Sequence, residues 1–170
     1  MAWADITSYV AADLTKGKAE IDEVIAQIAV KIIANKHRNG IFTDEEMYAM
    51  QFVNQVLVPR ADEFSLAIAI ESSLTTVKGL IEGATYTMTQ AEATTEAAVK
   101  TEIEEVIAAL ELDDVTPEVT KVSYAEAIAG DAGDPDGTNG AYKFKVNLTK
   151  GTRTTVTAEL TMTITATPHA

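Results

Sequence analysis

The chain contains no cysteine among its 170 residues. Disulfides and thiolate metal sites are therefore excluded. Histidine is scarce too, with only His37 and His169. His37 lies between Lys36 and Arg38, where it suits a helix C-terminus, and His169 sits beside the chain end. Neither position argues for a shared metal or general-base role. Positive charge is short: 13 Lys and Arg face 26 Asp and Glu, for a formal net charge of -13 at pH 7. Residues 1–82 carry 7 cationic and 12 anionic side chains, hence -5, and residues 83–170 carry 6 and 14, hence -8. Acidity on both sides disfavours direct contact with nucleic acid or an anionic membrane. No segment approaches the roughly 20 apolar residues that span a bilayer. The first residues lack the basic start and apolar run of a signal peptide, with Asp5 and Asp13 interrupting them. The expectation is a chain made in a cytoplasm and not exported by the usual route.

What is present is an ordinary hydrophobic fraction of 46%, enough for a sizeable core. The clearest pattern runs from Gly137 to Pro168 and reads as a long hairpin. Tyr142, Phe144, Val146 and Leu148 alternate with Lys143, Lys145, Asn147 and Thr149, which gives one apolar and one wet face. Lys150-Gly151 supplies a turn. On the return, Val156, Ala158, Leu160, Met162 and Ile164 alternate with a threonine ladder from Thr155 to Thr165. That ladder either fills a solvent face by β propensity or prepares an inter-subunit sheet, and the former explanation is the simpler.

Upstream, the periodicity changes. Ile21, Val24, Ile25, Ile28, Ala29, Ile32 and Ile33 mark a helix over Lys18 to Arg38, with Asn39-Gly40 as its stop. Glu20, Asp22 and Glu23 are expected in its first turn. Thr43-x-x-Glu46 opens a second helix with a capping box, and Pro59 should break or kink it. A third helix should run from Ala61 to Glu82, weakened at Ser72-Ser73 and stopped by Gly83. Next come a strand near Ala84 to Thr89, a helix capped by Thr94 or Thr95, and a strand from Val115 to Tyr124 with Pro117 at its start or on an edge. The fold class is α+β: an N-terminal helical region over 1–82 and a small β-α-β-β-β module over 83–170, ending in the long hairpin.

Several motifs share an order with a known family. They are Val77-Lys78 with Ile81-Glu82, Tyr86, Thr89-Gln90-Ala91-Glu92, Ser123-Tyr124, Gly137 to Phe144, Lys150-Gly151 and Ile164 to Pro168. From about Leu74 to Pro168 the chain resembles a repeat module of bacterial cell-surface and S-layer-associated proteins. Such modules look like spacers or adhesive display units, and the resemblance carries over no catalytic residue and no cofactor. The surface proteins hold many copies behind an export signal. The single copy here, behind a helical segment, looks instead like a bacteriophage virion structural protein.

That resemblance implies a capsid-bound decoration or head-fibre-like component, a homo-oligomer that also binds other virion proteins such as capsid. The alternatives are a bacterial cell-surface repeat or adhesion module and a carbohydrate-binding module. Candidate interface residues are Trp3, Tyr9, Ile21, Ile25, Ile28, Ile32, Met47, Met50 and Phe64. A weak Ca²⁺ candidate is the loop bearing Asp131, Asp134, Asp136 and Asn139, which lacks the bidentate glutamate of a full calcium loop and is otherwise a sharp surface turn. Glu102, Glu104, Glu105, Glu111, Asp113 and Asp114 form an acidic helix and exit, best explained as a solvated face.

Overall fold

The computed structural model describes residues 14–36 and 44–169. Helix α1 spans Leu14–Lys36. Its buried stripe is Ile21 and Ile28, two turns apart, with Val24 and Ile25 half-buried between them. The stripe packs on Leu57, Ala61 and Phe64 to form a first core. Because α1 begins four residues before Lys18, the acidic residues fall beyond its first turn, which has none. Two of them work in side-chain pairs: Lys18 pairs with Asp22, and Gln27 donates to Glu23 at 3.1 Å. His37, Arg38, Asn39-Gly40 and Thr43 lie outside the described residues.

Helix α2 spans Asp44–Phe52, a π-helical turn spans Val53–Leu57, and α3 spans Val58–Gly83. Pro59 therefore does not break the helix. A proline in a regular helix loses one hydrogen bond and presses its ring on the carbonyl four residues back. Here the turn before it is widened, and the Val58 N–H donates to the Val53 carbonyl, five residues back. The chain is helical from Asp44 to Gly83, and Ser72-Ser73 lies inside that span. By length and composition, Glu46–Gly83 contains a stretch apolar enough to cross a membrane, contrary to the reading of the sequence; core helices of soluble proteins pass the same test.

The chain forms two compact units, 1–69 and 70–170. The boundary falls inside α3 and not at 82/83, because Leu74, Val77 and Ile81 are buried in the core of the second unit. That unit holds β1 (Thr87–Thr89), α4 (Glu96–Ala108), β2 (Thr116–Ala125), β3 (Gly140–Lys150), β4 (Arg153–Val156) and β5 (Leu160–Thr165). The sheet order is β1-β5-β3-β2, with β4 also on β3. β1 runs parallel to β5, and the other pairs are antiparallel. Helix α4 is capped by Thr95, whose side chain accepts from the Ala98 N–H at 3.1 Å. It buries Val99, Ile103 and Ile107 and ends at Ala108.

β3 is the strand that its alternation foretold: Tyr142, Phe144, Val146 and Leu148 are all at most 1% exposed. The Gly151-Thr152 turn has φ +59 at Gly151 and no positive φ at Thr152, as in a type II′ hairpin. The return strand departs from the uniform alternation. Asn147 pairs with Val156, but Phe144 pairs with Leu160, so one extra residue sits between the two pairings. This bulge separates β4 from β5 and reverses the faces. Val156 is 44% exposed and Thr157 only 3%. Inside, Thr157 Oγ1 accepts from the Val146 N–H at 2.9 Å, and the Thr157 N–H donates to the Val146 carbonyl at 3.0 Å.

Candidate functional site

Among the interface candidates, Ile21, Ile28 and Phe64 are spent on the first unit's own core, and Ile25 is half-buried against it. They are not free docking residues. Met47 is exposed and Met50 half-buried. Trp3 and Tyr9 lie outside the described residues, as does the side chain of Ile32. The sequence reading missed Val30, Tyr48 and Leu66, which are 66%, 67% and 64% exposed. Leu66 shows why: it sits among apolar neighbours in α3 but off their buried face.

The acidic loop is built on backbone bonds. Asp131 accepts from the N–H groups of Gly133 (2.7 Å) and Asp134 (2.9 Å), which holds its carboxyl below the ordinary carboxylate range. Asn139 accepts from the Ala166 N–H at 2.9 Å. Asp131 and Asn139 are thus engaged by backbone N–H groups, and the described residues contain no group of three or more His, Asp or Glu able to hold a metal ion. The same loop grips the chain end. Gly130 donates to the Thr167 carbonyl and His169 to the Pro135 carbonyl, each at 2.8 Å. A Cβ on Gly130 would lie 2.2 Å from the Pro135 oxygen, so only glycine fits there. Gln90 completes the clamp, donating to the Ala127 carbonyl and accepting from the Thr167 N–H, both at 2.9 Å.

One polar cluster joins distant parts of the second unit. Lys150 Nζ donates to Ser73 Oγ at 2.9 Å, to Asp113 Oδ2 at 3.0 Å and to the Asp113 carbonyl. Ser73 Oγ also donates to Asp113 at 2.8 Å. Hydrogen bonds from Lys150 and Ser73, and the lysine's charge, lower the Asp113 pKa. Asp113 and Asp114 take left-handed backbone, with φ 44 and 59. Together these bonds tie the Asp113 turn and Ser73 to the hairpin end at Lys150.

The remaining feature lies at the sheet edge. A cavity of about 530 Å³ is lined by Ile107, Ala108, Leu110 and Leu112 at the end of α4 and by Pro117 and Val119 of β2, with Glu104 as its one charged wall. β2 is the terminal strand of the sheet. Its Val119 pairs with Val146. Both backbone groups of Val146 are engaged on the Thr157 side, so Val119 directs its own N–H and carbonyl to the free edge. Pro117, of the same parity, turns its missing N–H to that edge as well, which is why a proline is tolerated here. The sequence signal for the cavity was faint: in this stretch the acidic residues stood out, as a solvated face, and not the apolar ones between them.

No known protein family, curated protein or solved structure matches the chain.

Proposed function

We propose that the chain is a non-enzymatic structural protein of a bacteriophage particle. It acts as a homo-oligomer, a capsid-bound decoration or head-fibre-like component whose helical unit attaches and whose sheet unit is displayed. One observation carries this reading. The stretch that resembles a surface-protein repeat, about Leu74 to Pro168, coincides with the compact unit 70–170. That unit fills its interior with packed apolar side chains, and its polar clusters are engaged in holding loops. Its partners are other copies of itself and virion proteins such as the capsid, with no role for nucleic acid or membrane. The exposed Met47 and Tyr48 are the first attachment positions to test.

The same coincidence favours a bacterial cell-surface repeat as the second reading. A carbohydrate-binding module has less support. Tyr142 and Phe144 are buried, and the open sheet face presents threonine, lysine and asparagine where stacking aromatics are needed. Quantitative mass spectrometry of purified particles tests the proposal. Tens to hundreds of copies per particle are expected. Absence from particles, with recovery in a cell-envelope fraction, overturns it in favour of the surface-repeat reading.

A further inference from the structure

We propose that the free edge of β2 and the cavity beside it form a docking site for a short, extended, basic segment of a partner protein. The segment adds as an antiparallel strand and places one apolar side chain under the end of α4. Three independent features define the occupant.

The first is the backbone. Val119 offers an N–H and a carbonyl to the edge, the pair that an antiparallel strand uses to bond one residue twice. The second is position. In such a pair, the incoming residue points its side chain to the same face as Val119, which is 7% exposed and faces the core. That face leads into the cavity of about 530 Å³ between Ile107, Leu110, Leu112 and Pro117. The cavity's volume suits one large apolar side chain with room beside it. The third is charge. Residues 101–119 hold seven carboxylates and no lysine or arginine. The C-terminal end of α4 adds the negative pole of its dipole. An acidic or neutral strand would meet repulsion or nothing, whereas a basic one is drawn in.

The edge is also limited in length. Pro117 removes one donor on one side, and the bulge between Lys121 and Ser123 breaks the register on the other. Those are the devices that stop open-ended strand association. They confine the regular edge to Val119 and Lys121, so the site takes one short segment and does not seed a growing sheet. This site goes beyond the virion reading, and its failure leaves that reading standing.

The test uses the full chain, labelled with ¹⁵N and ¹³C, and a defined probe: an acetylated, amidated heptapeptide of alternating lysine and threonine with leucine at the centre. Its acidic twin carries glutamate for lysine. The basic peptide is expected to shift the Val119 amide and the side chains of Leu110 and Leu112, with binding that weakens as salt is raised. N-methylation of its central residue is expected to cut affinity about tenfold, the effect of one lost hydrogen bond at an otherwise intact site. Ala108→Trp, at an exposed position on α4, fills the cavity and is expected to abolish the leucine-dependent shifts. Equal binding of the acidic twin, indifference to N-methylation, or an unmoved Val119 amide at millimolar peptide overturns the proposal. A full-chain dimer whose Val119 amide is already protected and is released by Ala108→Trp would give the edge to a second copy and overturn it equally.

Discussion

At Thr157 one hydroxyl stands in for the ladder partner that a bulge has displaced. Its oxygen takes the Val146 N–H, which would otherwise be buried without an acceptor. Thr157→Val keeps the shape and removes that acceptor. It is expected to cost about 1–3 kcal/mol in denaturant unfolding, with Thr157→Ser closer to wild type. Phe144, fully buried and edge-on to Tyr86 at 5.1 Å between ring centroids, has no such alternative. Phe144→Ala should cost about 3–5 kcal/mol. Tyr86 adds a pH signature. Burial pushes its phenol up to about 12, while its hydroxyl donates to the Ile81 carbonyl at 3.0 Å. A folded value raised above the unfolded one stabilises fully below about pH 10, and that contribution is lost as pH climbs toward the folded value. Alkaline unfolding should therefore set in above about pH 10, and Tyr86→Phe should flatten that limb when melting temperature is followed against pH. In acid the sign reverses. Glu92, Asp113 and Asp131 all have lowered values, through bonds from Thr89, from Lys150 and Ser73, and from the loop backbone. Their contribution is complete at neutral pH and is lost as pH falls below about 4.

Elements with a strict period were legible in the sequence. β3 and the Thr95-capped helix stand where period two and a capping threonine put them. The break between β4 and β5 was not, because threonine is compatible with either face of a sheet. An apolar-Thr alternation looks the same whether it slips by one residue or not. The helices illustrate a different limit. Pro59 carries a strong local rule, yet a π turn satisfies it at the cost of one irregular hydrogen bond. Pro59→Ala should raise the melting temperature without loss of helical circular dichroism; a fall would mean that the π turn is needed for the packing of Leu57. The edge cavity was invisible for a third reason. Acidic and apolar residues interleave at the end of α4, and only the sheet order reveals that, among the described residues, no further strand covers them there.

For the whole molecule, the unit boundary inside α3 predicts which fragments survive. A chain of residues 70–170 retains Leu74, Val77 and Ile81 and should fold as a monomer, seen as a dispersed NMR spectrum. A chain of residues 83–170 lacks those three and should expose its core and aggregate. If the helical unit drives assembly, the full chain should be larger than a monomer in sedimentation while 70–170 is not.

The pairing of β1 with β5 also fixes an order of events during synthesis. Thr87–Thr89 is made first, but its partner, Leu160–Thr165, follows only after α4, β2, β3 and β4. Until the ribosome has delivered that strand, β3 lacks one neighbour and β1 has none. Such distant pairings close slowly and leave apolar surface open in the meantime. A nascent chain stalled before Leu160 should remain sensitive to protease and hold chaperones, and addition of the β5 strand should convert it within one cooperative step.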